Sequence, residues 1–364
     1  MANYSQKLAN MRSRRLGLDA ATALTKDSRF IEAATFSEAY ESRAKTDAVK
    51  YAIGAMQELE AKYTQICYEE GDRVRKQLND GLKAAGIPAT FDYQGSVPLN
   101  IHIRFASDID LLVLHDRFVT EDWAGPKAST YSRLGRSSME DMLVLRQQCE
   151  SILASRFPAV KVDKTGAKSI ALSGGSLQRK VDVVPSHWHD TAAYQISNQK
   201  HDREVKILDK SIPELVTNRP FQHMRQIANK DTVTNGGAKK MIRLLKNLRK
   251  DSSKNIDLSS YEIAALVWHF DDDKLTKPYY LELSLVAEAQ HSLQWLVDYP
   301  TLTKTLDVPD GSRKIIDAPA KMVALQLLKA EVDELATALV QELNPIYAAN
   351  RELVRKSLME AQIF

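Results

Sequence analysis

The sequence predicts an α+β protein, a mixed sheet with a long backing helix followed by a C-terminal helical lobe, and three observations carry that prediction. Apolar residues recur at helical spacing between about residues 42 and 85, short apolar and β-branched runs succeed one another from residue 90 to 185, and after about Lys210 the pattern turns mostly helical. On that division residues 1–210 form a core that includes the long helix, and residues 211–364 form a helical domain.

The long helix rests on Val49, Ile53, Met56, Leu59, Tyr63, Ile66, Leu78 and Leu82, with Gly86 and Pro88 as its stop. Strands are expected at Thr90–Gln94 and Asp108–His115, then a polar loop and a helix from about Met139 to Arg156 that ends before Pro158. Three further strands come next, at Val160–Lys164, Ser169–Ser173 and Gln178–Pro185. Gly174-Gly175 supplies the turn between the last two. Helices are expected near Pro220–Ala228, Gly237–Lys250, Ser259–Phe270, Tyr280–Val297 and Pro319–Glu342, with no internal repeat.

Composition places the chain among globular proteins. Its 364 residues are 44% hydrophobic and 27% charged, enough for a substantial core in two lobes. No run approaches the roughly 18 apolar residues of a membrane span, and the start has no apolar signal core, so the expectation is a cytoplasmic protein without membrane contact. Cys67 and Cys149 read as reduced buried thiols. The Arg12-Arg14-Arg15 cluster reads as an exposed, mobile basic terminus.

The chemistry-bearing residues lie in FDYQGSVPLNIHIRFASDID and, about seventy residues later, in RKVDVVP. Side chains two apart on a strand share a face, so Asp108 and Asp110 point together while Ile109, Leu111 and Val113 line the other side. Leu112 and Leu114 continue the acid face as apolar positions. Carboxylates on such a face need a partner, and a bound cation supplies one. Asp182 needs only a neighbouring strand to join them. Three aspartates without a His or Cys cluster suit Mg2+, which prefers oxygen ligands, with Mn2+ as the alternative ion. Two such ions roughly 3.5–4 Å apart serve phosphoryl transfer, in which rate comes from positioning and from neutralising phosphate charge. Gly95-Ser96 can turn its backbone N–H groups and hydroxyl toward phosphates.

These residues resemble the DNA polymerase β-type nucleotidyltransferase superfamily: Gln94-Gly95-Ser96, Asp108 twelve residues after Ser96, and the later Asp182 strand. The segment MIRLLKNLRKDSSKNIDLSSYEIAALVWHF is similar to the helical part of the cGAS/DncV-like nucleotidyltransferases. The resemblance covers roughly residues 45 to 270. It implies Asp108, Asp110 and Asp182 as catalytic metal ligands for two Mg2+ ions, Gly95 and Ser96 as the phosphate turn, and Gln94 beside them among the nucleotide-binding residues. It also implies Lys246 and Ser260 as triphosphate contacts, Tyr261 as a base platform, and a helical domain closing the nucleotide cleft. The activity implied is template-independent joining of nucleoside triphosphates into a cyclic oligonucleotide messenger that switches on an effector protein in bacterial anti-phage signalling. Alternatives are transfer to an RNA end, a small molecule or a protein, and a non-catalytic nucleotide binder. Where many members of the subgroup carry Gly-Thr, this chain reads Leu99-Asn100-Ile101-His102. Two cysteines are too few for a Cys/His zinc insertion, so DNA sensing through one is not expected.

The helical segment also carries a basic stripe. Lys239, Arg243, Lys246 and Lys250 fall on one side of a helix, where Lys246 is expected to meet phosphate and the others read as a solvated face, and Met241, Leu244, Leu245 and Leu248 fall on the core side. Residues 200–254 carry 14 Lys and Arg against 6 Asp and Glu, whereas the whole chain is only +3. Other features carry less. His187 and His189 lack a third ligand for a metal, Asp271-Asp272-Asp273 reads as a helix terminus, and Gly236-Gly237 has the wrong spacing for a Walker loop. Trp188 and Tyr194 read as core aromatics beside a sheet edge.

Overall fold

The structure, a computed structural model, describes residues 3–16, 38–104, 106–132, 135 and 137–364, the side chain of Phe118 excepted. The chain falls into two compact units. One comprises Glu60–Leu99 and Ser107–Gln226; the other comprises Met1–Leu59, Asn100–Ala106 and Ile227–Phe364. The expected boundary at residue 210 lies inside the first of these, between its last two strands.

Among the described residues the first unit is built on a seven-stranded sheet: β1 (Ala89–Gln94), β2 (Ile109–Glu121), β3 (Lys161–Asp163), β4 (Ile170–Ser173), β5 (Val181–Asp190), β6 (Glu204–Asp209) and β7 (Glu214–Asn218). The order is β1-β2-β5-β4-β3, with β6 also paired to β5 and β7 to β6. Only β2 and β5 run parallel among these pairs; the others are antiparallel, so the sheet is mixed as expected. β5 is long enough to serve two partners on one edge. Its residues through Val183 pair with β4, and those from Ser186 pair with β6. Pro185, which has no N–H to give, stands in the changeover.

Helices Ala61–Ala84 and Ser138–Arg156 pack on each other and on the sheet through Tyr63, Val74, Leu78, Leu82, Met142, Leu145 and Leu153. Cys67 and Cys149 are buried in the same two helices, neither in a disulfide. Burial pushes the Cys149 thiol up to about 12, which keeps it protonated and unreactive. A separate cluster gathers Leu112, Leu114, Val184, Val205, Ile207 and Phe221, with Trp188 packed against it. This makes the apolar continuation of the acid face a core, each such side chain contributing roughly 1.5–3 kcal/mol by burial.

Two strands, β6 and β7, lie beyond those expected from the sequence. The single long helix expected from about Ser42 to Ala85 is in fact two helices, Asp47–Met56 in one unit and Ala61–Ala84 in the other. The first stops because side chains take over its last carbonyls: Asn247 Nδ2 donates to the Ala55 carbonyl at 3.0 Å and Arg243 Nε to the Met56 carbonyl at 2.7 Å.

The second unit is helical, with Tyr4–Leu16, Asp47–Met56, Gly237–Asp251, Ser260–Trp268, Ser284–Asp298, Pro319–Leu343 and Arg351–Glu360 among its helices. Two expectations are corrected here. The N-terminal arginines are not a loose basic tail: residues 4–16 form a helix that buries Tyr4, Leu8 and Met11. Arg12 pairs with Glu41 and Arg15 with Glu38 at 2.5 Å each, and Arg14 pairs with Asp251. The basic stripe of Gly237–Asp251 is closed at its centre, with only Lys250 exposed and Lys239 partly so. That helix is buried almost all round, Arg243 and Lys246 included, because main-chain carbonyls replace water as their partners.

Candidate active site

The register of the sheet assembles the acids. Gln94 on β1 pairs with Asp110 on β2, Asp110 with Asp182 on β5, Asp182 with Ala171 on β4, and Ala171 with Asp163 on β3. Directly paired residues project from the same face, so Gln94, Asp110 and Asp182 stand side by side about 4.8 Å apart per strand. Ala171 is the small member of the row, directly beside Asp182. Asp108 lies just before β2, two residues from Asp110 and therefore on the same face.

Gly95 comes directly after Gln94, with φ +84°. A side chain is excluded there for two reasons. The left-handed backbone penalises any Cβ, and that Cβ would collide with Asp110 Oδ2. The turn backbone therefore lies against one of the acids. Val97 and Leu99, both buried, anchor the chain just beyond the turn.

A residue missed in the sequence completes the corner. Lys180 Nζ lies 2.6 Å from Asp108 Oδ2 and 3.3 Å from Asp182 Oδ2. The signal was present: Lys180 precedes Asp182 by two residues as Asp108 precedes Asp110, so pairing 110 with 182 in parallel sets 108 opposite 180. Burial acts against the Lys180 ammonium, but the hydrogen bond to Asp108 and the charges of Asp182 and Asp108 outweigh it and hold its pKa up. The Asp182 carboxyl is raised as well, by burial first and by Asp108, with Lys180 opposing.

The donor set fits a hard divalent cation. Asp182 Oδ1 is buried with no hydrogen-bond partner, as is Gln94 Oε1 in the same row. A partnerless carboxylate oxygen on a sheet face that carries two further aspartates is the oxygen-rich setting such an ion needs. Among the described residues no three acids, imidazoles or thiols are closed up around a common ion position. In the acid corner the Lys180 ammonium pairs with Asp108 and Asp182.

The other expected contacts belong to the helical unit. Lys246 is fully buried and donates to the Ile101 carbonyl at 2.6 Å, while Arg243 donates to the Asn100 carbonyl at 2.7 Å. Asn100 has φ 55°, the left-handed turn that presents these carbonyls. Ser260 opens its helix one residue after the cap: Ser259 Oγ accepts from Glu262 N at 3.1 Å and Glu262 Oε2 from Ser259 N at 2.7 Å, a complete capping box. The Tyr261 hydroxyl donates to Asp310, and its ring lies under Arg313 at 5.7 Å.

In the sheet unit His189 is held between Thr120 Oγ1 at 2.8 Å and Asp122 Oδ1 at 3.1 Å. His187 is buried with Nδ1 2.9 Å from the Trp188 carbonyl. Trp188 packs on Phe221 and under Arg203, which also covers Tyr194.

A mixed sheet that lines up a glycine-serine turn, an Asp-x-Asp pair and a third aspartate on the neighbouring strand is the arrangement that the resemblance to polymerase β-type nucleotidyltransferases implies. Comparison with known proteins narrows the class. Residues 225–339 match the model of the cGAS/DncV-like nucleotidyltransferase C-terminal helical domain. The chain is 40% identical over 332 residues to the cyclic dinucleotide synthase CdnE of Yersinia aleksiciae, covering 89% of this chain and 86% of that one. It is 34% identical to a c-di-GMP synthase of a Lachnospiraceae bacterium over 61% of this chain and 69% of the other. The solved STING-associated CdnE c-di-GMP synthase from Capnocytophaga granulosa superposes with a TM-score of 0.71 at 27% identity, over 94% of this chain and 100% of that one. The chain belongs to the cGAS/DncV-like nucleotidyltransferases.

Proposed function

We propose that the protein joins nucleoside triphosphates, without a template, into a cyclic oligonucleotide, and that Asp108, Asp110 and Asp182 are its catalytic acids. The observation that carries the reading is the row Gln94-Asp110-Asp182 with the Gly95 backbone set against Asp110. Asp108, Asp110 and Asp182 would hold two divalent ions, Mg2+ or Mn2+. When bound, such ions neutralise phosphate oxygens and favour ionisation of a hydroxyl.

The chain's own part is orientation and proton handling. The Gly95-Ser96 turn offers main-chain N–H groups and the Ser96 hydroxyl to a triphosphate beside the acids. Asp182, half-buried and with one oxygen unengaged, accepts the proton of a ribose hydroxyl. The hydroxyl oxygen bonds to the α-phosphorus, the bond to the β-phosphate breaks, and pyrophosphate leaves. A second transfer within the same chain of nucleotides closes the ring.

The role proposed with this is bacterial anti-phage signalling in the cytoplasm, the product acting on an effector protein. The relative from Capnocytophaga is described as STING-associated, which supports an effector of that general kind. Among the described residues no helix is long and apolar enough to cross a membrane.

The test is product analysis. Purified protein with Mg2+ and the four ribonucleoside triphosphates is expected to release pyrophosphate and give phosphatase-resistant products whose masses, with each triphosphate omitted in turn, name the bases. Asp110→Asn is expected to abolish them. Linear, phosphatase-sensitive chains alone, or transfer only when an RNA, a small molecule or a protein is supplied, would overturn the cyclic reading.

A further inference from the structure

Lys180 sits where a cation would be wanted. Its ammonium bridges Asp108 Oδ2 at 2.6 Å and Asp182 Oδ2 at 3.3 Å, and its main chain is fixed as the opening rung of the β2–β5 ladder, Ile109 N donating to the Lys180 carbonyl at 3.1 Å. The rung is rigid but the side chain is not. Lys180 is 40% exposed along its side chain, on a flexible stem that can carry its charge out to water. Three carboxylates on one face repel one another, and a single ammonium between two of them removes part of that repulsion.

We propose that Lys180 is the internal counter-ion of the metal site. It keeps Asp108 and Asp182 facing each other while no divalent ion is bound, and its ammonium gives way when one binds. The inference rests on the reading of the three aspartates as metal ligands. It has two consequences of opposite sign. Removing the ammonium takes away a competitor and so tightens divalent-ion binding, yet it leaves the metal-free acids unscreened and so destabilises the protein without metal. A lysine that lay clear of the acids and served only to hold a substrate phosphate would produce neither effect.

The experiment is Mn2+ binding to the full chain without nucleotide, monitored by electron paramagnetic resonance, together with thermal unfolding in EDTA and in Mn2+. Lys180→Met is expected to bind Mn2+ about three- to tenfold more tightly than the parent, the range two partly exposed ion pairs allow. Its unfolding temperature is expected to fall in EDTA and to rise more than the parent's when Mn2+ is added. Lys180→Gln provides the same comparison if the methionine variant does not fold, and Lys180→Arg, which keeps the charge, is expected to show no tightening. Unchanged or weaker Mn2+ binding in Lys180→Met or Lys180→Gln overturns the proposal. Asp110→Asn and Asp182→Asn separate the two levels: if they bind Mn2+ like the parent, the metal-ligand reading itself has failed, whatever Lys180 does.

Discussion

Replacing Gly95 by alanine tests the site at its tightest point. The substitution adds one carbon at a residue with φ +84°, and that carbon collides with Asp110 Oδ2. The backbone component costs about 1–2 kcal/mol for an L residue in the left-handed region. In a domain of this size that corresponds to a fall in Tm of roughly 2–8 °C. The contact component acts elsewhere. To regain an ordinary carbon–oxygen separation the Asp110 carboxylate must retreat by about 1 Å, and a displacement of that size in a catalytic group costs about 100-fold in rate. A hundredfold is about 2.7 kcal/mol of transition-state stabilisation. Gly95→Ala should therefore remain folded by circular dichroism, lose a few degrees of Tm, and lose about two orders of magnitude in pyrophosphate release. Activity within about threefold of the parent, from a protein carrying alanine at 95, would show that the turn and Asp110 do not share the reaction centre.

Other predictions address residues whose roles the two units separate. Lys246→Met leaves the buried Ile101 carbonyl without its 2.6 Å donor and should cost roughly 1–3 kcal/mol in urea unfolding; an unchanged midpoint would count against that structural role. Ser259→Ala removes a capping box and should cost about 1 kcal/mol, whereas Ser260→Ala should stay within roughly 0.5 kcal/mol, so equal losses would contradict the cap. Burial lowers His187 from 6.5 to about 4, so the folded state refuses a proton that the unfolded chain accepts. Its contribution is intact above pH 6.5 and is lost as pH falls toward 4, at up to about 1.4 kcal/mol per pH unit. Unfolding measured from pH 7 to 4.5 should show this slope, and His187→Asn should flatten it; parallel slopes would refute the assignment.

How much of the fold is legible in the sequence depends on the range of each interaction. Strand positions from residue 89 to 190 can be read because alternation and the Gly174-Gly175 turn are local, and both glycines take positive φ in the hairpin. β6 is a period-2 strand as well, with Val205 and Ile207 apolar, but Lys206 and flanking acids mask it; Lys206 is satisfied by Thr217 on β7, a partner that no local window contains. The long helix misleads for the same reason. Nothing between Met56 and Glu60 breaks a helical period; the break comes from Arg243 and Asn247, nearly two hundred residues away. The basic stripe fails in the opposite direction. Arg243 and Lys246 look exposed in sequence because long cations normally are, and only the left-handed turn at Asn100 provides the carbonyls that let them be buried.

The acids are legible, but their meeting is not, and register is the reason. Spacing fixes which residues share a face of one strand, whereas convergence depends on which residue of the next strand lies opposite. A shift of one position between β2 and β5 would pair Asp110 with Val181 or Val183 and turn Asp182 to the other face, toward the helices. The force that prevents it is apolar: in the observed register Leu112 and Leu114 share a face with Val184 and join Val205, Ile207 and Phe221 in one core cluster. The shifted register would set Asp182 among the apolar side chains of the opposite face, put Val181 or Val183 in the acid row, and remove Val184 from the cluster with Leu112 and Leu114. The hydrophobic residues further along the strands thus select the alignment, and the unfavourable concentration of charge at their start is a consequence of it. This is why Asp182 keeps a buried oxygen without a partner rather than relaxing away from the row.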